Sequence, residues 1–187
     1  PKVRPELDPD FCPAVLWNRA YRQEVEKCFA KQDIVIALRR SNGTVSTCKT
    51  TIFPHEGEYA AVNIKYVERL VKFLLWMKGG YEVTIAGCEA LANDLAKIYS
   101  EDGERSFDHN IMGQVIYGKP FAIKSCALED APESHEIQMK LGGHLDGCRI
   151  GFDLGGSDRK CAAVIDGRVV HTEEVEWNPY FEKNPEY

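Results

Sequence analysis

Residues 150–160 read Ile150-Gly151-Phe152-Asp153-Leu154-Gly155-Gly156-Ser157-Asp158-Arg159-Lys160. This stretch predicts a strand over Cys148–Asp153 that runs into a turn at the two adjacent glycines. A second strand is predicted over Cys161–Ile165, closed by Asp166-Gly167, and a third over Arg168–Trp177. The sequence therefore predicts a compact unit of three antiparallel strands with a glycine-rich first turn.

The residues of this first turn are suited to binding phosphate. Gly155 and Gly156 allow backbone amides to approach an anion closely, Ser157 adds a hydroxyl donor, and Lys160 supplies a compact positive charge. Asp153, at the end of the first strand, is suited to holding Mg²⁺, an ion that prefers oxygen ligands and keeps much of its water. The stretch thus predicts a phosphate site with one magnesium ligand.

The glycines alone do not distinguish this site from an ordinary turn, because Gly, Ser and Asp dominate turns for conformational reasons. An ordinary tight hairpin needs neither Asp153 at the strand end nor Lys160 near the start of the next strand. A Walker loop and a dinucleotide-binding turn both open a helix, whereas a strand follows here. The combination therefore favours a phosphate-binding hairpin.

The segment from Ile150 to Trp177 resembles the first phosphate-binding hairpin of the actin, hexokinase and heat-shock ATPase superfamily. It is most similar to the ROK family of repressors, open reading frames and sugar kinases. The family pattern is an Asp, an apolar residue, two glycines and Thr or Ser, and Asp153, Gly155, Gly156 and Ser157 match it position by position. Lys160 matches a basic residue of some superfamily members, although many ROK kinases carry a lysine nearer the threonine.

The resemblance implies ATP-dependent phosphorylation of a sugar hydroxyl, with ATP, Mg²⁺ and a sugar as the bound molecules. It implies that Asp153 lies near Mg²⁺ and that Gly155, Gly156, Ser157 and Lys160 surround the β- and γ-phosphates. In ROK kinases the catalytic aspartate, the sugar-binding residues, the cysteine-rich zinc motif and the adenosine pocket all lie C-terminal to this hairpin. We therefore assign no catalytic residue here, and expect the chain to be the N-terminal portion of a longer kinase and inactive alone.

Two other functions remain open. The longer protein could be a ROK-like regulator that senses a sugar or nucleotide without turning it over. Alternatively, the chain could be an accessory binding domain in which the glycine turn is purely structural. A catalytic Asn-Asp pair and the cysteine motif, in sequence C-terminal to the hairpin, would separate the kinase from the regulator.

The fold class that follows is mixed α/β. Residues 1–140 are predicted to form an N-terminal α/β accessory domain, and residues 141–187 the first β-hairpin unit of an RNase H-like, actin-like ATPase fold. Residues 129–136 are polar and contain Pro132, and are predicted to link the two domains. Hydrophobic periodicity in the first domain predicts helices over Ala14–Phe29, Ala60–Lys78 and Glu89–Ile98, and strands over Ile34–Leu38, Thr44–Phe53, Val83–Ala86, Gln114–Tyr117 and Phe121–Cys126.

The composition limits the classes of partner, such as nucleic acid or a membrane, that the protein is expected to bind. The 187 residues carry 23 Lys plus Arg and 29 Asp plus Glu, a formal net charge of −6, so no overall basic field favours nucleic acid. The apolar run Phe73–Met77 is far shorter than the roughly 20 residues that cross a bilayer, and we expect its side chains, Trp76 included, to be buried mainly in the domain's own core. Exposed sheet edges lead us to expect pairing between chains as a homo-oligomer.

The seven cysteines are odd in number and never spaced as Cys-x-x-Cys, which argues against a disulfide framework and against a zinc cage. We expect them to be small core residues of a cytoplasmic protein. Asn93-Asp94 resembles the Asn-Asp of a catalytic base but precedes the hairpin. These two residues are predicted to be polar residues on the surface of a helix.

Overall fold

The computed structural model describes residues 2–138 and 141–184. The chain divides into two compact units, Pro1–Ile137 and Gln138–Tyr187, close to the domain boundary at 140/141 that the sequence predicts. Helices and two separate sheets are both present, which confirms the mixed α/β class. Within the described ranges, no helix is long and apolar enough to span a bilayer.

The first unit contains four α-helices and four strands, and its helices and strands follow the predicted order except at one segment. In chain order they are α1 (Ala14–Lys27), β1 (Gln32–Arg39), β2 (Val45–Ile52), α2 (Gly57–Lys78), β3 (Glu82–Ala86), α3 (Glu89–Ile98), α4 (Ser106–Asn110), a π-helical turn (Ile111–Val115), β4 (Ala122–Cys126) and a 3-10 turn (Leu128–Asp130).

The four strands form one sheet in the order β2-β1-β3-β4. β1 pairs antiparallel with β2 and with β3, whereas β3 and β4 are parallel and α3 makes the crossover between them. Residues Ile34, Ile36 and Leu38 alternate along β1 and are at most 1 % exposed. They pack in one core with Val67, Val71 and Leu75 of α2 and Leu91 and Leu95 of α3, because each helix has apolar residues at intervals of three or four.

The predicted strand at Gln114–Tyr117 is wrong. Gln114 and Val115 lie in the π-helical turn Ile111–Val115 that continues α4, and Ile116 and Tyr117 lie in the turn that follows it. Met112 and Gly113 are buried, and a β-carbon on Gly113 would lie 3.0 Å from the carbonyl oxygen of Lys119. A short apolar run does not distinguish a strand from a buried helical turn by periodicity.

The prediction that the Trp76 cluster is buried is also wrong for three of its side chains. Phe73 is 61 % exposed, and Trp76 and Met77 are each 52 % exposed, although Leu75 between them is fully buried. Trp76 packs on Phe107, with ring centroids 6.3 Å apart, and its indole Nε1 donates to the buried carboxylate of Asp108. The buried stripe of α2 runs along the opposite side of the helix.

The cysteines are less buried than predicted. Cys88 is the one buried cysteine among the described residues, whereas Cys12 and Cys148 are exposed and the other four are partly exposed. All seven are free thiols. The expectation of small core residues is therefore correct for Cys88 and wrong for the exposed pair.

The predicted linker at residues 129–136 belongs to the first unit. The backbones of His135 and Val45 exchange hydrogen bonds of 2.8 and 2.9 Å, so this segment pairs with the outer edge of β2. Ser46 donates to the Glu136 carboxylate at 2.6 Å, and Lys78 lies 3.2 Å from the same group. These contacts lower the pKa of Glu136 below its usual value, with Ser46 contributing most.

A network of largely buried hydrogen bonds joins α1, α2 and α3. The Tyr21 hydroxyl donates to Asn63 Oδ1 at 2.6 Å, and Asn63 Nδ2 donates to the Phe53 carbonyl at 2.9 Å. The same amide nitrogen lies 3.4 Å from His55 Nδ1, and His55 Nε2 lies 3.2 Å from Asp94. Asp94, which was predicted to be an exposed polar residue, is half-buried and is the last residue of this hydrogen-bond network.

Replacing Tyr21 with phenylalanine tests this hydrogen-bond network. The substitution leaves the buried Asn63 oxygen without its donor, and we expect it to lower the free energy of unfolding by about 1–3 kcal/mol. The half-exposed Tyr59 provides a matched control, for which Tyr59→Phe should change stability by less than about 0.5 kcal/mol. The measurement is hydrogen exchange of the slowest amides of β1, and equal effects of the two substitutions would contradict the assignment.

Candidate phosphate site

The second unit is a three-stranded antiparallel sheet. Its strands are β5 (Cys148–Leu154), β6 (Asp158–Ile165) and β7 (Arg168–Glu176), in the spatial order β5-β6-β7. Asp166 and Gly167, with φ of 48° and 80°, form the tight turn between β6 and β7. Positive φ at both central residues is the signature of the turn that favours Asp-Gly. The three predicted strands and both turns are confirmed.

Strand pairing brings two of the predicted site residues together. Asp153 of β5 lies directly opposite Lys160 of β6, and Lys160 lies opposite Glu174 of β7. Since side chains alternate between the faces of a sheet, these three residues share one face. Phe152, Cys161 and Glu173 occupy the next row, on the opposite face.

Lys160 lies among carboxylates. Its ammonium is 2.9 Å from Asp158 and 3.6 Å from Glu174. The hydrogen bond to Asp158 contributes most to raising the pKa of Lys160 above its ordinary value, and the charges of Asp158, Glu174 and Asp153 add to it. Three carboxylates therefore lie around this one cation, so the surroundings of Lys160 are acidic.

The turn that joins β5 to β6 is tight. The Gly155 amide donates to the Asp158 carbonyl at 2.9 Å. A β-carbon on Gly155 would lie 2.9 Å from that same carbonyl oxygen, which explains the need for glycine there. Ser157 is exposed at the tip of the turn, and its carbonyl accepts from the Trp177 amide at 3.0 Å.

Two aromatic residues that follow β7 contact the turn, and the sequence analysis did not identify them. Trp177 Nε1 donates to the Gly155 carbonyl at 2.7 Å. Tyr180 lies beside Gly156, where a β-carbon would be 2.8 Å from its ring. In the sequence, the only indication of these contacts was the presence of two aromatic residues after a strand. Their spacing is not typical of a binding site. These contacts hold the turn in place from one side.

A shallow cavity of about 490 Å³ lies over the strands near the Asp153–Lys160 pair. Gly151, Ala162 and Thr172 form the neighbouring row on the same face and are also among its lining residues. Because these side chains are small, the row leaves space beside the charged pair. The volume falls in the range of about 300–1,000 Å³ that is usual for small-molecule sites.

The donor set suits a hydrated magnesium ion bound together with phosphate. Asp153 offers one exposed carboxylate at the end of β5, and Asp158 offers a second that is shared with Lys160. Mg²⁺ is usually held by one or two carboxylates, with phosphate oxygens and water completing the octahedron. The residues present are therefore sufficient for an ion that arrives with its phosphate ligand.

Comparisons with known proteins give no relative for this chain. No protein-family model matches it, and no curated protein or solved structure matches it. The assignment of a function therefore depends on the geometry above and on the motif in the sequence.

The two glycines of the turn should differ in their tolerance of a methyl group. At Gly155 the obstacle is a backbone oxygen that already accepts a hydrogen bond, so Gly155→Ala should destabilise the β5–β6 pairing by about 1–3 kcal/mol. At Gly156 the obstacle is the ring of Tyr180, which is 83 % exposed and free to turn outward. Gly156→Ala should therefore cost less than about 0.5 kcal/mol.

Hydrogen exchange of the β5 and β6 amides measures both effects, and the Tyr180 ring resonances report its displacement in Gly156→Ala. A larger loss of protection in Gly156→Ala than in Gly155→Ala would contradict the described turn.

Proposed function

We propose that residues 141–187 bind the triphosphate of Mg·ATP, and that the whole protein is a cytoplasmic ROK-type kinase that phosphorylates a sugar hydroxyl. The unit would then be the first hairpin of an RNase H-like, actin-like ATPase fold. The observation that supports this most strongly is the cross-strand pair of Asp153 and Lys160 beside an exposed glycine turn. This arrangement joins a metal-binding carboxylate, a cation and open backbone amides at one end of a sheet.

The charges around Lys160 indicate the form in which ATP would bind. A free triphosphate would meet Asp153, Asp158 and Glu174 as well as Lys160, and like charges repel it. A magnesium ion held by Asp153 would offset these carboxylates and would neutralise part of the phosphate charge. Lys160 would then be available to a phosphate oxygen in place of its 3.6 Å contact with Glu174. The proposal is therefore specific for the magnesium complex.

Phosphoryl transfer depends mainly on positioning and charge neutralisation, and the magnesium ion supplies part of that neutralisation when it is bound. The chain's own contribution is to hold the β- and γ-phosphates. The amides of Gly156 and Ser157 orient the phosphate oxygens. The ammonium of Lys160 neutralises part of the phosphate charge at this end of the sheet. The resemblance assigns sugar binding and proton removal to sequence C-terminal to the hairpin, so none of residues 1–187 is given a catalytic role.

A non-catalytic role is the second candidate, as a sensing or accessory domain. Trp177 and Tyr180 already contact the turn at Gly155 and Gly156, so the turn has internal support without a ligand. A purely structural turn would need only this support. The two candidates differ in whether the amides of the turn respond to a phosphate ligand.

Titration of the ¹⁵N-labelled chain with Mg·ATP, followed by amide chemical shifts, tests the proposal. We expect the Gly155, Gly156 and Ser157 amides to shift with an affinity in the millimolar range, about −4 kcal/mol, because this hairpin contacts only the phosphates of the nucleotide. AMP should not shift them, because it lacks the β- and γ-phosphates. ATP with the magnesium chelated should not shift them either.

Lys160→Ala should abolish these shifts, whereas Arg168→Ala, which removes a cation at the opposite end of the sheet, should leave them unchanged. If the turn amides fail to move with Mg·ATP, or if both variants respond like the unsubstituted chain, the phosphate site is refuted and the structural turn is favoured.

A further inference from the structure

The face of the second sheet opposite Asp153 carries a cluster of three metal-ligating side chains. Cys161 of β6 lies directly across from Glu173 of β7, and His171 precedes Glu173 by two residues on the same face. One ligand atom from each residue lies within 4.8 Å of the other two. The Cys161 sulfur is 3.9 Å from the Glu173 carboxylate.

The three donors are those that zinc prefers. A thiolate, an imidazole and a carboxylate bind Zn²⁺ at about 2.3, 2.0–2.1 and 2.0–2.2 Å, and a tetrahedral arrangement places these donor atoms roughly 3.4–3.6 Å apart. The donor atoms of the cluster lie within 4.8 Å of one another, so no pair is more than about 1.4 Å wider than in a loaded site. His171 and Glu173 are exposed, so rotation of their side chains closes this gap without moving the strands.

Charge also fits a divalent ion. One thiolate, one carboxylate and a neutral imidazole balance the two positive charges of Zn²⁺, so the loaded site is neutral. Binding releases the thiol proton of Cys161 to solvent, because the thiolate is the ligand. Exposure of the cluster leaves the fourth coordination position open to water or to an external ligand.

We propose that Cys161, His171 and Glu173 form a zinc site on this face of the sheet. The site is separate from the proposed phosphate site and independent of it, since alternation of side chains places the two clusters on opposite faces. Zinc bound there would join β6 to β7 through the Cys161–Glu173 pair and through His171, which lies opposite Ala163. Spacing along the chain does not indicate this site, because Cys161 and His171 are ten positions apart and only the β6–β7 register brings them together.

Cobalt(II) titration of the reduced full chain tests the site, since Co²⁺ reports its ligands through a thiolate charge-transfer band and tetrahedral d–d bands. We expect one equivalent of Co²⁺ to bind with both signatures and to be displaced by one equivalent of Zn²⁺. Cys161→Ser, His171→Gln and Glu173→Gln should each weaken binding at least about tenfold, a loss seen even when a supporting partner of a metal ligand is removed.

Matched controls separate this site from general thiol binding. Cys148→Ser removes an exposed cysteine elsewhere, and Glu174→Gln removes the neighbouring carboxylate on the other face, so both should bind cobalt like the unsubstituted chain. Metal-free amide spectra establish that each variant remains folded. Absence of the tetrahedral bands, unchanged affinity in any of the three ligand variants, or an equal loss in Cys148→Ser would overturn the proposal.

Discussion

The antiparallel register between β5 and β6 determines the geometry of the proposed phosphate site. It places Asp153 opposite Lys160, and it leaves Gly155, Gly156 and Ser157 in the turn. A slip of one residue would move the lysine to the opposite face and separate it from the aspartate. The Gly155–Asp158 hydrogen bond and the Trp177 contact to Gly155 hold this register at the turn between the two strands.

The same alternation gives the sheet two chemically different faces. One face combines oxygen donors with a single lysine and suits a hard cation that arrives with phosphate. The other combines sulfur, imidazole and carboxylate and suits a softer ion. Two ligand sites can therefore share three short strands without competing for residues, because adjacent residues of a strand never face the same side.

Much of the architecture could be predicted from the sequence, because it follows from local patterns. Long amphipathic stretches predicted α1, α2 and α3, and the positions of the glycines predicted both turns of the second sheet. The pattern failed where the outcome depends on distant residues. Gln114–Tyr117 forms the end of a π-helical turn and the turn after it, since packing around Gly113 decides its conformation. The contact of Trp177 with Gly155 and the Cys161 cluster exist only because of strand pairing.

The proposed phosphate site requires a divalent ion and a triphosphate to meet at Asp153. Replacing Mg²⁺ with paramagnetic Mn²⁺ tests it directly, because Mn²⁺ prefers the same oxygen ligands and broadens nearby amide resonances. In the presence of ATP, we predict broadening centred on Asp153, Gly155 and Gly156, and its loss in Asp153→Asn. Broadening that needs no ATP, or that persists unchanged in Asp153→Asn, would contradict the account.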